Sequence, residues 1–295
     1  MRNMTSCPIC NSVKISNYQA SVSGFLAERI WEKEPWEIKY CHCRVCGFTY
    51  FNPQPDPEEL KRYYFGYRSS EFQKMRQKHE PIYTEEFNSG FDSPKEIRLR
   101  KNLLREYLKL EINISDIKTV LDYGGDRGQF IIDELRNAKR YVYDISGATT
   151  EPGIEYLHSI EKCKEMRYDL IMCCHVLEHV PDPLRILRQI VDLADTNTII
   201  YIELPYDGHF EDISSSMRLK VVLFGMKIVG PVIVDKVFRL LSVKIKMTEH
   251  INFFNGRSLQ KMMEISNLNV LRLDVPSAMI GSSPTRILRC LARKK

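Results

Sequence analysis

The stretch Val120-Leu-Asp-Tyr-Gly-Gly-Asp-Arg-Gly128 decides the fold of this 295-residue chain. An apolar run ends in Asp122 and breaks into a glycine-rich turn, where glycine lets the backbone approach a ligand closely. The apolar residues between Phe130 and Leu135 predict a helix whose first N–H groups face the turn. Asp144 ends the next apolar run, 22 positions after Asp122, a spacing suited to a carboxylate that binds ribose hydroxyls. Together these features predict a site for a nucleoside-containing cofactor.

From residue 118 onward, predicted strands and helices alternate. The expected strands lie near residues 118–122, 140–144, 168–173 and 198–204. A helix begins at Asp182-Pro183, and a later one near Arg257 precedes a further strand. This alternation predicts an α/β, Rossmann-like, doubly wound sheet of about seven strands, in which ligands lie at the carboxyl ends of the parallel strands. The polar residues at or just past those ends are Asp122, Asp144, Cys174 and Glu203.

The composition and the apolar runs argue against a secreted protein and against a membrane-spanning one. Hydrophobic residues make up 43% and charged residues 27% of the chain, as in globular proteins, and a net charge of +5 does not by itself indicate a nucleic-acid partner. The segment from Met1 to Lys14 lacks the apolar core of a signal peptide, and no uncharged apolar run reaches the roughly 20 residues of a membrane span. We therefore expect a cytoplasmic protein without a transmembrane span.

Two C-x-x-C pairs, Cys7-Pro-Ile-Cys10 and Cys43-Arg-Val-Cys46, are separated by 32 residues. Because cysteine pairs in a chain without an export signal favour metal binding over disulfides, the four thiols Cys7, Cys10, Cys43 and Cys46 predict a tetrahedral Zn²⁺ site. Four sulfur ligands leave no open position for water, so we expect structural zinc. Cys41 and His42 are alternative ligands beside the second pair, and buried unpaired cysteines are the alternative to a metal site.

The chain divides into four predicted units. They are a zinc-binding module at 1–60, a helical connector or cap at 61–117, a Rossmann-like core at 118–210 and 248–285, and a helical insertion at 211–247. The insertion is apolar but interrupted by charges and by Gly230-Pro231, which predicts two amphipathic helices. They could form a lid, a dimer surface or a weak interfacial membrane contact through 217–246, and a lid or oligomer contact is the favoured interpretation.

Two helix starts are predicted in the connector by residues that cap helix N-termini. The first is Asp56, Pro57 and Glu59, and the second is Ser93, Pro94 and Glu96. Aromatic residues cluster between them, at Tyr63, Tyr64, Phe65 and Tyr67. They could cover a ligand or pack the connector between the zinc module and the core.

Two further blocks carry distinctive patterns. Tyr168-Asp-Leu-Ile-Met-Cys-Cys-His-Val-Leu-Glu-His-Val180 is an apolar strand followed by Val-Leu-Glu-His, and the second block is Glu249-His-Ile-Asn-Phe-Phe254. Together with the glycine turn, the cysteine pairs and Phe51-Asn-Pro53, these blocks resemble class I S-adenosylmethionine-dependent methyltransferases with an N-terminal zinc-binding domain. This bacterial group includes sugar C-methyltransferases. In the turn, Asp126 stands where such enzymes usually have a glycine.

The resemblance implies that the cofactor is S-adenosylmethionine. The residues that it assigns to the cofactor are Asp122, Gly124, Gly125, Gly128, Asp144, Cys174 and His175. The glycines would let the turn approach the methionine part, and Asp122 would organise the turn or bind the amino group. Asp144 would accept hydrogen bonds from both ribose hydroxyls, as an ionised carboxylate can.

The resemblance also implies a general base. His250 is the leading candidate, with Glu249 as its orienting or auxiliary group, because histidine titrates near neutral pH. His179 is a second candidate, and Glu203 and Tyr206 could contact the acceptor. The alternatives are that His250 packs beside the neighbouring phenylalanines and that His179 caps a turn.

The sequence thus predicts methyl transfer from S-adenosylmethionine to a small polar acceptor, such as a sugar, nucleotide-sugar or glycan precursor, in carbohydrate biosynthesis. A homodimer is an open alternative to a monomer. One rival is an RNA methyltransferase whose zinc module binds nucleic acid, which the basic residues near 61–105 suggest. Without a long basic tract we do not expect a nucleic-acid partner. A second rival is a cofactor-binding scaffold without catalysis. It is suggested by Asp126 and by Met247, which stands three residues before His250, where the sugar enzymes have a tyrosine.

Overall fold

The computed structural model describes residues 1–67, 69–81, 83–84, 93–206, 245–280 and 283–295. The strands are β1 (Ile15–Val22), β2 (Glu37–Cys43), β3 (Thr49–Asn52), β4 (Thr119–Tyr123), β5 (Lys139–Tyr143), β6 (Glu155–Tyr156), β7 (Leu170–Cys174), β8 (Ile199–Pro205), β9 (Ile245–Met247), β10 (Asn252–Phe253), β11 (Leu268–Asp274), β12 (Ser277–Ile280) and β13 (Ser283–Lys294). The helices are α1 (Gly24–Trp31), α2 (Pro57–Tyr64), α3 (Ser70–His79), α4 (Pro94–Leu108), α5 (Ile160–Lys164), α6 (Pro183–Leu193) and α7 (Gly256–Ile265).

The larger sheet has the strand order β11-β13-β8-β7-β4-β5-β6, and β12 pairs with β13 beside this path. Strands β4 to β8 pair in parallel, whereas β13 runs antiparallel between β8 and β11. Its strands are buried on both faces, because Leu121 is enclosed in the core on one face and its neighbour Val120 in the core on the other. The predicted α/β sheet is confirmed. Strands that follow β4 in the chain are added first on one side of it, as β5 and β6, and then on the other, as β7 and β8. The order therefore reverses between β4 and β7, and ligands bind at such a point in these folds.

The smaller sheet has the order β10-β3-β2-β1-β9, and both of its edge strands come from the far end of the chain. Ile245 lies opposite Ala20 in β1, and Asn252 lies opposite Tyr50 in β3. Residues 245–247 were expected to close the helical insertion, but they form β9. Burial explains the difference, because Met247 is enclosed and Lys246 is exposed, which is the two-residue period of a strand. Residues 207–244, which hold most of the predicted insertion, lie outside the described residues.

Both predicted helix starts in the connector are confirmed. At α2, the Glu59 N–H donates to Asp56 Oδ1 at 3.0 Å, and the Asp56 N–H donates to Glu59 Oε2 at 2.8 Å. This reciprocal capping box satisfies two N–H groups that the helix itself leaves unpaired. At α4, the Glu96 N–H donates to Ser93 Oγ at 3.3 Å.

The helix predicted directly after the glycine turn does not form. In its place the structure has a 3-10 turn at Asp133–Leu135, inside a series of short i→i+3 hydrogen bonds. Ile131, Ile132 and Leu135 are buried at a helical spacing and the charged residues between them are exposed, but the backbone here closes i→i+3 hydrogen bonds instead of the i→i+4 bonds of an α-helix. The backbone N–H groups that follow the glycine turn therefore belong to a 3-10 turn rather than to the N-terminus of an α-helix.

None of the helices in the described segments combines the length and the apolar character that crossing a bilayer requires.

Candidate active site

The glycine turn adopts left-handed backbone conformations at three positions. Gly124 has φ 76° and Gly128 has φ 77°, and a Cβ atom at Gly124 would lie 2.3 Å from Val176 Cγ2. Asp126, at the position of the usual glycine, has φ 54°, a region that aspartate tolerates better than most residues. Its N–H donates to Asp144 Oδ2 at 2.9 Å. Asp126 thus preserves a glycine-like turn and ties it to the end of β5.

Asp122, near the end of β4, is a buried carboxyl group with an unmet hydrogen-bonding need. Its side chain is 1% exposed, and Oδ1 has no hydrogen-bond partner within the described residues. Burial, reinforced by the charge of Asp144, raises the pKa of Asp122 to about 7. A buried carboxylate oxygen without a donor is rare in folded proteins, so this atom suits a cationic amine.

Asp144 follows β5 and faces the same turn. Its Oδ1 accepts from the Ser146 N–H at 2.7 Å, while Oδ2 accepts from Asp126. The Tyr156 hydroxyl donates to the backbone carbonyl of Asp144. Because an ionised carboxylate offers about four lone pairs, the two backbone contacts orient Asp144 and leave capacity for hydroxyl groups of a ligand.

Past the end of β7, His175 bridges two buried carboxylates. Its Nδ1 lies 3.1 Å from Glu178 Oε1 and its Nε2 lies 3.2 Å from Glu203 Oε1. Burial and Arg100 lower the pKa of His175, but the hydrogen bonds to Glu178 and Glu203 outweigh them and raise it. Both ring nitrogens donate in the imidazolium form, which matches the two carboxylate acceptors. Cys174, the preceding residue, is half-buried at the strand end, where burial raises its pKa.

Glu203 was expected to contact the acceptor, yet its side chain is 8% exposed and already engaged. It pairs with Arg100 Nη2 at 3.3 Å and accepts from the Tyr201 hydroxyl as well as from His175. This arrangement suits a residue that orients His175. Tyr206, the other expected acceptor contact, stacks under the Arg286 guanidinium at 4.0 Å and bridges to Phe254.

The three residues predicted to be catalytic, His250, Glu249 and His179, lie close together beyond the end of β7. The rings of His179 and His250 are 4.7 Å apart between centroids, at 74° to one another. His179 Nδ1 lies 3.1 Å from the backbone carbonyl of Glu249, and because a carbonyl only accepts, Nδ1 carries the proton. The lone pair of His179 is therefore on Nε2. Glu249 lies on the turn that carries His250, so the structure brings the chosen residues into one cluster.

Glu249 is held by side chains from the aromatic connector. Its Oε2 pairs with Arg76 Nη1 at 2.8 Å and accepts from the Tyr63 hydroxyl at 3.4 Å. Burial raises the pKa of Glu249, but His179 and Arg76 outweigh burial and lower it. The pKa of Tyr64 rises well above its usual range through burial and through the nearby carboxylates of Glu249, Glu178 and Asp144. The connector therefore packs tightly and also covers the cluster.

Two buried amides fasten the Glu249–His250 turn to the end of β7. Asn252 Nδ2 donates to the carbonyls of Leu177 at 3.0 Å and Val180 at 2.6 Å. Gln54 Nε2 donates to the Ile251 carbonyl at 3.0 Å and to Asn252 Oδ1 at 2.8 Å. Since three of these four bonds are buried and the bond to Val180 is partly buried, they hold together the two segments that carry the histidines.

The four predicted zinc ligands converge in the smaller sheet. Cys7 Sγ lies 3.6 Å from Cys46 Sγ, and Cys10 Sγ lies 3.5 Å from Cys43 Sγ, with all four sulfurs within 4.8 Å of one another. Zn–S bonds of about 2.3 Å place sulfurs about 3.8 Å apart in a tetrahedron, so the cluster fits zinc. The alternatives are engaged elsewhere, because Cys41 bonds Asn17 and His42 bonds Thr49.

Sequence reasoning did not single out several residues that organise the site. These are Gln54, Arg76, Arg100, Glu178 and Asn252. Glu178 and Asn252 stand inside the two quoted blocks, so the blocks themselves carried a signal. Gln54, Arg76 and Arg100 lie in turns or on helices with no such pattern, and long-range contacts alone identify them.

A family model described as a methyltransferase domain matches residues 94–273. This range holds the whole glycine turn, both strand-end aspartates and the histidine cluster. A search of curated protein sequences finds no match.

Solved methyltransferases are similar to this chain at low identity. Magnesium protoporphyrin IX methyltransferase from Synechocystis, solved with bound S-adenosylhomocysteine, is 16% identical, with 81% of this chain and all (100%) of that chain covered at a TM-score of 0.44. The 1,6-didemethyltoxoflavin-N1-methyltransferase of Burkholderia thailandensis is 15% identical, with 86% of this chain and 98% of that chain covered at a TM-score of 0.47.

Proposed function

Because this chain belongs to the methyltransferase-domain family, we propose that it transfers a methyl group from S-adenosylmethionine to a small polar acceptor. One observation carries the choice of cofactor. The buried, unpartnered oxygen of Asp122 and the oriented carboxylate of Asp144 stand at adjacent strand ends and border the same glycine turn. That pair suits a ligand with a cationic amine at one end and vicinal hydroxyls at the other.

The residues fit S-adenosylmethionine in detail. Asp122 would pair with the amino group, Asp144 with the ribose hydroxyls, and the turn from Gly124 to Gly128 would pass close to the methionine part. The bound cofactor supplies an electrophilic methyl group on a sulfonium. Cys174 and His175 stand at the end of β7, which lies beside β4, and would border the cofactor from that side.

For the acceptor, we propose that His250 removes the proton of the attacking group. Glu249 orients the turn that carries His250, and Arg76 and Tyr63 hold Glu249 in place. His179 presents Nε2 to the same space and is the second candidate base. A histidine suits this step because its pKa lies near the working pH.

A sugar, nucleotide-sugar or glycan precursor is the acceptor class that we favour. The cluster offers histidine nitrogens, which can deprotonate a hydroxylated substrate, and the hydroxyl of Tyr64, whose raised pKa keeps it protonated as a hydrogen-bond donor. The RNA alternative gains little from the basic helix α4, because Lys101 pairs with Asp133 at 2.6 Å and Arg105 pairs with Glu134 at 3.1 Å. These pairs offset part of the positive charge that α4 would offer to phosphates.

We further propose that Cys7, Cys10, Cys43 and Cys46 hold structural Zn²⁺. The site would clamp the loop before β1 to the hairpin after β2. Since β1 and β3 pair with the two strands that flank Glu249 and His250, zinc would stabilise the acceptor half of the active site.

The decisive experiment measures S-adenosylhomocysteine formation against a panel of nucleotide sugars, free sugars and structured RNA. We expect turnover with a sugar-type acceptor, and we expect His250→Gln to lower kcat by about 10²- to 10⁴-fold, the usual contribution of a general base. The affinity of the His250→Gln variant for S-adenosylmethionine, measured by calorimetry, should stay within about twofold of the wild-type value.

His79→Ala is the matched histidine control, because His79 lies on α3, where it pairs with Glu28 of α1, and this variant should retain full turnover. An equal loss in His179→Gln but none in His250→Gln would transfer the base role to His179. Absence of cofactor binding would overturn the proposed cofactor, and turnover confined to RNA would overturn the acceptor class.

A further inference from the structure

We propose that Glu178, His179 and His250 form a second metal site, for a divalent transition ion of the Zn²⁺ type, apart from the four-cysteine cluster. We call these residues the glutamate–histidine triad. Metal binding is inferred from the geometry of the triad, whereas the effect of a bound ion on turnover rests on the proposed function.

The ligand atoms of the triad already lie close together. One atom from each side chain lies within 4.8 Å of the other two, and His179 Nε2 is 3.9 Å from Glu178 Oε1. Zinc binds histidine nitrogen and carboxylate oxygen at about 2.0–2.2 Å, which places tetrahedral ligands about 3.4 Å apart. The side chains therefore need to close by about one ångström, a shift that rotation of the histidine rings can supply.

A second observation points independently to a cation. The side chain of Glu178 is 0% exposed, and its Oε2 has no hydrogen-bond partner in the described part of the chain. A buried carboxylate oxygen without a donor is costly, and a metal ion in contact with it would remove that cost. The other oxygen, Oε1, is already fixed by His175 at 3.1 Å.

Backbone contacts orient the ligands as they do in known metal sites. His179 donates its Nδ1 proton to the Glu249 carbonyl at 3.1 Å, so Nε2 carries the lone pair on the side of Glu178. A metal-binding histidine usually donates its other nitrogen to such a carbonyl, which fixes the tautomer and the ring orientation. The Glu178 carbonyl accepts from the N–H groups of Ile251 at 2.9 Å and Asn252 at 3.1 Å, which holds the His250 turn against the triad.

Two histidines and one carboxylate suit Zn²⁺ and leave a fourth position open. Magnesium and calcium prefer sites made of oxygen, so we expect them to bind poorly. An ion in the triad would occupy the His250 lone pair that the proposed base needs. Zinc would therefore inhibit methyl transfer reversibly, and a chelator too weak to remove the zinc of the four-cysteine cluster would restore it.

The test uses the full chain with its cysteine cluster loaded with zinc. Equilibrium dialysis against Zn²⁺ should reveal a second equivalent, and Glu178→Gln and His179→Ala should each weaken that equivalent by at least about tenfold. Glu264→Gln, which alters an exposed carboxylate on α7, is the control and should bind like the wild type. Cobalt absorption separates the sites, because nitrogen and oxygen ligands give a spectrum unlike that of four thiolates.

Binding of one equivalent, or a second equivalent that survives both triad variants, would overturn the proposal. Circular dichroism of each variant shows that a lost equivalent does not reflect unfolding. A second equivalent bound through the triad in a protein that transfers no methyl group would support the metal site and count against the proposed function. Methyl transfer without a second equivalent would do the reverse.

Discussion

The two sheets contribute to the candidate site in different ways. The larger sheet supplies Asp122, Asp144 and Cys174 from the ends of parallel strands that lie side by side. The smaller sheet supplies Glu249 and His250 from the turn between its edge strands, β9 and β10. We call the proposed cofactor residues the cofactor half of the site, and the Glu249–His250 turn with the sheet that holds it the acceptor half. Because the two halves depend on different sheets, they can be disrupted separately.

Loss of the zinc cluster should disrupt the acceptor half, and this is the largest effect that we expect. We expect Cys43→Ser to release zinc and lower turnover by at least about 100-fold, because structural zinc contributes folding free energy directly to such modules. Affinity for S-adenosylmethionine should change by less than about threefold, since its residues lie on the larger sheet. Metal analysis, calorimetry and turnover assays measure the three quantities.

Cys41→Ser is the matched control, because Cys41 is buried in the same strand but bonds Asn17 and lies outside the cluster. It should keep its zinc and most of its activity. An equal loss of cofactor affinity in Cys43→Ser would show that the two halves are not independent.

Removal of the Asp144 carboxylate should break the cofactor half. We expect Asp144→Ala to weaken S-adenosylmethionine binding by about 100-fold, the value of two charge-assisted hydrogen bonds at about 1.5 kcal/mol each. Zinc content should be unaffected. Calorimetry provides the affinity, and Asp133→Ala, at an 83% exposed side chain, serves as the control. Unchanged affinity in Asp144→Ala would rule out its ribose role.

The pH dependence of cofactor binding sharpens the assignment of Asp122. Because its pKa is raised to about 7, Asp122 is largely protonated below pH 7 and must release that proton to pair with an amino group. Affinity should therefore fall about tenfold per pH unit below pH 7 and level off above it. Calorimetry in buffers of different ionisation enthalpy should detect proton release near pH 6.

Asp122→Asn should bind more weakly above pH 7 and lose this dependence on pH. If the variant keeps the slope, another group titrates. In that case the unpartnered Asp122 oxygen does not contact the amino group.

The smallest expected effect tests the link between the halves. Asn252→Ala removes the side-chain bonds to Leu177 and Val180 and leaves buried carbonyls unpaired, so we expect a loss of about 1–3 kcal/mol in unfolding free energy. Turnover should fall more than cofactor affinity, because the two histidines move apart. Denaturant melts and steady-state kinetics measure both, and equal losses in kcat and affinity would contradict a role confined to the acceptor half.

The sequence alone predicted the parallel sheet, the strand ends that carry Asp122 and Asp144, both helix starts in the connector and the grouping of four cysteines. Each of these follows from local signals, namely apolar runs, capping residues and cysteine spacing. The helix predicted after the glycine turn was wrong because the backbone there closes i→i+3 hydrogen bonds, and the spacing of apolar residues, which is helical, does not distinguish these turns from an α-helix.

Tertiary structure alone decided how the acceptor half is assembled. Strands β9 and β10 hold three and two residues, too few to produce a periodic pattern, and they pair with β1 and β3 far earlier in the chain. The same long-range packing brings Arg76 to Glu249 and places the buried Glu178 carboxylate beside two histidines. Sequence periodicity records which face of an element is buried, whereas contacts between distant segments exist only once the chain has folded.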